Sequence, residues 1–438
     1  MINTGVASFA QERRVRVVAG APHPGHGAPH PALRAKNVPL LCRLPERVDV
    51  VALSAAVRAL VERHPVLQYR FLHRDGRVSL RWAGAGVADV ECAVVDRSAL
   101  GTADGAVRAF LRAQVDAPFD LLGWPLLRAG VIQDDRPLFY LCADHTVCDG
   151  WSMTVAMRDI EAAYTGLLRG RTVELRPPGD YLRYSAAQRR RYTSGPAVER
   201  AVDGVRAMLA GRAVEPAFPL PAAPWDAEHG RYTEFDLLDA AAAGRLLDYC
   251  RSRRATPYMA VLAAFGVAAR EIAGRAEVGV LVAMHNRDER HTADSVGWYA
   301  NMLALYFPTF PVDRFDDGVR AVRDRLMRLL VFAELPLSRV ADDLADTNDN
   351  GAGVRFPTCF ISLTDARTPP SAGGSGRWEQ LDLAPSYRMG YGLWVVLHDT
   401  GLRAVTASPR TSAGVASLAG LESRIADVLR SAAVPATA

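Results

Sequence analysis

Apolar and polar positions along this chain alternate between helical and extended periods. In "DVVALSAAVRALVERH", Leu53, Val57, Leu60 and Val61 recur at helical spacing behind Asp49. Aspartate is a preferred N-cap, so the pattern predicts an amphipathic helix starting there. "VLQYRFLHRDGRVSLRW" reads as a hairpin turning at Asp75-Gly76. "PLLRAGVIQDDRPLFYLCADH" predicts two further strands around the "QDDRP" turn, and "GWSMTVAMRDIEAAYTGLL" predicts a helix directly after them. The stretch between, "CADHTVCDGWSM", places His145 at a strand-to-loop exit, with Asp149 and Gly150 behind it.

Further on, "GRTVELRPPGD" reads as a linker and "YLRYSAAQRRRY" as a helix. "TPYMAVLAAFGVAAREIAG" carries Thr256 as N-cap, Pro257 at the first helical position and Gly274 just past the end. It is apolar nearly all round, which predicts a buried helix. "EVGVLVAM", "FPTCFISL" and "YGLWVVLHD" read as strands, and "DRFDDGVRAVRDRLMRLLVF" as a helix. Two runs read as loops: "APHPGHGAPHPALRAKN", with His23, His26 and His30, and the glycine-rich "TPPSAGGSGRW". The first is only a compositional hint of metal affinity. No fixed-period repeat is visible. Helices and strands intermix in both halves, which predicts an α/β fold of two similar lobes, residues 1–175 and 176–438.

Composition narrows the chemistry. The 438 residues, 49% hydrophobic, suffice for more than one lobe. A formal charge of +4 without a long basic run gives no support for a nucleic-acid groove. Lys36 is the only lysine among 52 basic residues, and its context is neither a phosphate loop nor a pyridoxal site. The six cysteines form no C-x-x-C pair and read as free thiols of a reducing cytoplasm. The N-terminus lacks the apolar core of a signal peptide. The longest near-apolar run, "YMAVLAAFGVAA", is about 12 residues, short of the roughly 18 a membrane span needs. The expectation is a cytoplasmic protein with no membrane, nucleic-acid or metal partner.

A histidine at a strand exit can act as a general base, or serve simply as a core histidine. Asp149 has two possible jobs: orienting the imidazole, as in a triad, or turning away to hold the loop by pairing with an arginine. Gly150 lets a substrate approach the backbone closely. Cys148 offers a thiol but has no obvious orienting partner. There is no G-x-S-x-G elbow and no H-E-x-x-H.

"DHTVCDGWSM" resembles the H-H-x-x-x-D-G motif of the condensation domains of nonribosomal peptide synthetases, which belong with the chloramphenicol acetyltransferase-like acyltransferases. "ERHPVLQYRF" resembles the family's R-H-x-x-L-R-x-x-F region, and "FDLLGWPLLRA" its F-D-L-x-x-x-P-L-L-R stretch. "GDYLRYSAAQ" is similar to the D-Y-x-x-W segment. "NRDERHTADSVGWYANMLAL" resembles the G-R…V-G-x-F-x-N-T-L block, with Val296, Gly297 and Asn301 matching. Order and spacing agree from about Val38 to the C-terminus. Two departures stand out. Asp144 replaces the first motif histidine, and the family's usual N-terminal motif is not visible.

The resemblance implies two chloramphenicol acetyltransferase-like lobes in a V around a central tunnel, with His145 as the catalytic base. It implies no bound cofactor. The donor would be a phosphopantetheine thioester on an acyl or peptidyl carrier protein, and the acceptor a small-molecule amine or alcohol. Asp149 would pair with Arg287, ten residues before Gly297, across the lobe interface. Trp151 and Ser362 are candidates to orient the substrate; Ser362 falls where the family often has an asparagine, and a buried core serine is the better reading of it. The arginines of "AQRRRY" are a candidate carrier-docking patch or belong to an ordinary solvated helix face. The expected protein is a freestanding condensation enzyme of natural-product biosynthesis. Two alternatives remain at this point: a coenzyme A-dependent O-acyltransferase and an inactive condensation-like recruitment domain.

Overall fold

The computed structural model describes the chain apart from residues 1–3, 19–35, 46, 85, 104, 172, 221–230, 289, 346–357, 368–377, 387–389, 409–414 and 434–438. Most of the proline-rich run with His23, His26 and His30, and most of the glycine-rich "TPPSAGGSGRW", lie outside the described residues. The chain forms two compact units. One comprises Met1–Ser194, His285–Ala300 and Pro369–Ser386; the other comprises Gly195–Met284, Asn301–Thr368 and Tyr387–Ala438. The units therefore do not follow a single cut at 175/176. Two later stretches of chain fold with the N-terminal residues, because their apolar side chains complete that core: Val296, Tyr299 and Trp378 all belong to it.

The first unit runs β1 (Thr4–Val6), α1 (Phe9–Val18), β2 (Asn37–Arg43), α2 (Val50–Arg63), β3 (Tyr69–Arg74), β4 (Arg77–Trp82), β5 (Cys92–Asp96), α3 (Ala106–Asp116), β6 (Leu127–Gln133), β7 (Leu138–Asp144), α4 (Gly150–Leu168) and α5 (Tyr181–Tyr192). The Asp49 carboxylate accepts from Ala52 N at 2.9 Å, and α2 buries Leu53, Val57, Leu60 and Val61 as their spacing predicts. The β3–β4 hairpin turns at Asp75 and Gly76, both left-handed (φ 50° and 70°). That pairing matches the strand twist and suits Asp-Gly.

β2, β7, β6 and β5 lie in one five-stranded sheet, with β12 (Glu379–Leu381) added at the edge beside β2. Every residue of β7 is buried. Phe139, Leu141 and Ala143 pack into the core shared with α2 and α4, while Leu138 and Tyr140 pack with Leu111 and Phe110 of α3. With both faces covered, a central strand reads as one continuous apolar run rather than an alternation, which "PLFYLCA" does.

The second unit contains α6 (Pro196–Leu209), β8 (Arg231–Asp239), α7 (Ala240–Ser252), α8 (Pro257–Ala273), β9 (Glu277–His285), β10 (Ala300–Pro308), α9 (Phe315–Leu329), α10 (Leu337–Ala345), β11 (Thr358–Asp365), β13 (Gly390–His398), β14 (Gly401–Ser408) and α11 (Val415–Ala432). Its six strands are ordered β10-β9-β11-β13-β14-β8. α8 begins at a Thr256 cap, ends at left-handed Gly274, and is buried at every residue from Met259 to Ala269. Each fully buried Leu, Val or Phe there stabilises the fold by ~1.5–3 kcal/mol. Among the described residues, no helix is long and apolar enough to cross a membrane, and no cluster of His, Cys, Asp and Glu could hold a metal ion. All six cysteines are buried free thiols.

Candidate active site

β7 ends at Asp144, and the chain turns through Thr146, Val147 and Cys148 into the first turn of α4. Those three residues are buried, which fixes the loop, while the His145 ring is half-buried. The His145 N–H donates to Lys36 O at 2.8 Å. Its ring lies against Trp298, with centroids 4.4 Å apart. Nδ1 is buried and has no hydrogen-bond partner among the described residues. Burial, followed by the Lys36 charge, lowers the ring's pKa from the usual 6.5 to about 4, with a backbone hydrogen bond, Asp149 and Asp144 pulling the other way. At neutral pH the imidazole is neutral and able to accept a proton.

Asp149 turns away from this ring. Its Oδ1 accepts from Ser152 N (2.9 Å), Ser152 Oγ (2.7 Å) and Arg287 Nη2 (2.6 Å). Its Oδ2 accepts from Tyr299 N (3.0 Å) and Ala300 N (3.1 Å). The carboxylate thus caps α4 and ties down the 285–300 segment in one arrangement, with no lone pair left for a triad. Burial pushes this carboxyl up, but the Arg287 guanidinium together with the Ser152 donors reverses the sign and holds it below the usual carboxylate range.

Arg287 uses Nη1 on Thr292 O (3.0 Å) and Ser295 O (2.6 Å), and its guanidinium lies 4.3 Å over the Tyr299 ring. The contact to Asp149 runs through one nitrogen and one oxygen rather than a bidentate fork. Arg287 also belongs to the same compact unit as Asp149, because 285–300 folds with the N-terminal residues. The pair therefore holds one unit together internally, which corrects the expectation of a bond between lobes.

Asp144 is fully buried and makes an ion pair with Arg14 of α1 through both guanidinium Nε (3.1 Å) and Nη2. Thr146 N and Oγ1 each donate to Asp144 Oδ1 at 2.8 Å. Burial raises the Asp144 carboxyl, but Arg14 and these donors reverse the sign and leave it lowered. Gln11 Nε2 adds a bond to Thr146 O at 2.8 Å. Residues 8–14, where no motif is legible in the sequence, therefore brace the His145 loop through Gln11 and Arg14.

A second buried network ties α4 to α2 and the 285–300 segment. His64 Nε2 meets Asp159 Oδ2 at 2.9 Å, and Val296 N donates to His64 Nδ1 at 3.3 Å. The acceptor role of Nδ1 places the ring proton on Nε2, donating to Asp159. Arg63 and Arg158 also donate to Asp159, and Arg158 reaches on to Asp294. The "RH" of "ERHPVLQYRF" is thus part of a scaffold that joins α2 to α4 and the 285–300 segment.

The remaining expected site residues fall as follows. Gly150 is exposed at the first position of α4, and a Cβ there would meet open space. Trp151 spends its indole N–H on Ala293 O (2.9 Å), so it anchors the 285–300 segment and has no donor left for orienting a substrate. Ser362 lies half-buried on β11, opposite Trp394, in the second unit. Cys148 is buried with its thiol on Asp144 O (3.3 Å), and burial pushes its pKa well up. A protonated, enclosed thiol is not a nucleophile. In "AQRRRY", Arg189 is engaged by Ala7 O and Glu12, while Arg190 and Arg191 are exposed.

Residues 28–360 match the condensation-domain family. The chain belongs to that family. It is 29% identical over 339 residues to a linear gramicidin synthase protein of Brevibacillus parabrevis, a match that covers 74% of this chain and 4% of that protein. The chain thus spans a small fraction of the curated synthetase it matches. In three dimensions it superposes on the first condensation domain of the CDA synthetase with a TM-score of 0.80 at 19% identity, covering 99% of this chain and 97% of that one. It superposes on the PapA2 acyl transferase with a TM-score of 0.76 at 20% identity, covering 98% and 92%. The α/β fold is the one these acyltransferase-like proteins share.

Proposed function

We propose that this condensation-domain protein transfers an acyl or aminoacyl group from a carrier-protein phosphopantetheine thioester to a small-molecule amine or alcohol. The observation that carries the reading is His145: a neutral ring at the exit of β7, on a loop held rigid by Asp149, Asp144 and their arginines. The acceptor's lone pair attacks the thioester carbonyl carbon, and the π pair moves onto oxygen. His145 takes the acceptor's proton, on Nε2 since Nδ1 is enclosed. Collapse of the tetrahedral species re-forms the carbonyl and breaks the carbon–sulfur bond. The proton then passes from His145 to the departing thiolate, leaving an amide or ester and a free phosphopantetheine thiol. A positioned base contributes ~10²–10⁴-fold; the thioester is already activated, so orientation supplies much of the rest.

The test is co-incubation with loaded carrier proteins and candidate acceptors, followed by mass spectrometry, with the matching acyl-coenzyme A run in parallel. Acyl transfer from the carrier thioester that falls on His145→Ala is the expected result. Equally efficient transfer from free acyl-coenzyme A removes the carrier from the reading. Loading without transfer, in the presence of a carrier that binds, points to the inactive recruitment role.

A further inference from the structure

Lys36 stands directly across the sheet from the catalytic histidine. The β2–β7 ladder pairs Asn37 with Asp144. One step further along, Lys36 opposes His145, and the His145 N–H donates to Lys36 O at 2.8 Å. Residues directly opposed on neighbouring strands present their side chains to the same face. Trp298 touches both: the Lys36 Nζ sits 4.8 Å from the centroid of its ring, and the His145 ring 4.4 Å from it. One indole therefore serves as a common wall for an ammonium and the imidazole.

This lysine is the only one in a chain with 52 basic residues. Where arginine is used everywhere else, its planar fork binds carboxylates and carbonyls, as Arg14 and Arg287 do. Lysine differs in kind: it is a compact point charge on a flexible stem. The charged groups whose fields reach the His145 ring are Lys36 just before β2, Asp144 at the end of β7 with Arg14 of α1 upon it, and Asp149 at the cap of α4, turned away from the ring, with Arg287 upon it. Both carboxylates already carry their own arginine. Lys36 is the cation that shares the Trp298 ring with His145.

We propose that Lys36 is a positioning residue for His145, its ammonium seated against Trp298 so that it opposes protonation of the ring and keeps it a neutral base. The proposal rests on the reading of His145 as the base. Its consequence is kinetic. A proton taken from the acceptor onto Nε2 makes an imidazolium that shares Trp298 with an ammonium, and like charges repel. The imidazolium is therefore a strong acid toward the departing thiolate. The second proton transfer is favoured at the expense of the first, and the ring returns neutral for the next turnover. Burial and Lys36, in that order, are the causes that lower the ring's pKa.

The experiment has two arms. The first follows the His145 ring by NMR in histidine-labelled protein across pH, with the signal assigned by its loss in His145→Gln, and compares wild type with Lys36→Met and Lys36→Arg. Methionine keeps the stem and removes the charge; arginine keeps the charge. The His145 midpoint is expected to rise by about one pH unit in Lys36→Met and to stay low in Lys36→Arg. The second arm records the acid limb of kcat/KM for acyl transfer, which should move with the midpoint. An unmoved midpoint in a folded Lys36→Met protein overturns the proposal, whatever the activity. A midpoint that moves as expected in a protein showing no acyl transfer supports the role of Lys36 and counts against the proposed reaction instead.

Discussion

Arg287 Nη2 donates to Asp149 Oδ1 across 2.6 Å, with both side chains only 3% exposed. This bond decides what the aspartate of the loop is for. Every acceptor position on Asp149 is taken by Arg287, Ser152 and the backbone of Tyr299 and Ala300, so the carboxylate organises the loop and leaves the imidazole alone.

Asp149→Ala should therefore destabilise the protein by about 3–5 kcal/mol, because it strands a buried guanidinium. His145→Ala removes no hydrogen-bonded side chain and should leave the melting temperature near that of wild type while lowering acyl transfer by about 10²-fold or more. Thermal denaturation of the two variants side by side separates the roles. Equal destabilisation would mean that the ring, too, holds the loop.

The Arg14–Asp144 pair predicts a strong coupling of the same kind. Arg14→Ala and Asp144→Ala should each cost about 3–5 kcal/mol, since each leaves one buried charge alone. The double variant should cost less than the two together, because it removes both charges at once. Urea unfolding of the four proteins in the cycle measures this. Simple additivity would mean that the pair contributes no coupling.

The lowered pKa of His145 has a signed consequence for pH. In the unfolded chain the ring titrates near its ordinary value of ~6.5, and in the fold at about 4. Between these values the unfolded state binds the extra proton, so stability held above that window declines as pH falls through it. The acid limb of kcat/KM should lie near the folded value, well below that of an ordinary histidine. Asp144, Asp149 and Asp159 are lowered, so their contribution is lost only at more acid pH, as it falls through their folded values. A kcat/KM profile with its acid limb at ~6.5 would contradict the lowering of the ring's pKa by its surroundings.

Two glycines near the site should respond in opposite ways. A Cβ at Gly150 meets open space, so Gly150→Ala should change stability by less than about 1 kcal/mol. Any large loss of activity in that variant would then report substrate passing close to the backbone. A Cβ at Gly297 would lie 2.4 Å from the buried Tyr181 ring. Gly297→Ala should cost about 1–3 kcal/mol through overpacking. Calorimetry with parallel kinetics distinguishes the two cases.

The sequence by itself determined whatever depends on near neighbours. Asp49, Thr256 and Pro257 mark helix starts, Gly274 marks an end, and Asp75-Gly76 marks a turn, because capping and left-handed backbone are decided within a few residues. The apolar run of β7 marked a strand, and the loop after it carried the histidine; that both faces of the strand are covered was decided by the fold. The Asp149–Arg287 pair was legible only by resemblance, since 138 residues separate the partners and many other arginines were as plausible. Arg14 on Asp144, 130 residues away, had no such signal, and Lys36 registered only as a composition count. The fold also decided that 285–300 belongs with the N-terminal unit. The reason is that charge pairing acts through space. Which cation meets which carboxylate is set by strand register, by the burial that excludes water, and by the core that Val296 and Tyr299 complete, and none of these exists until the chain has folded.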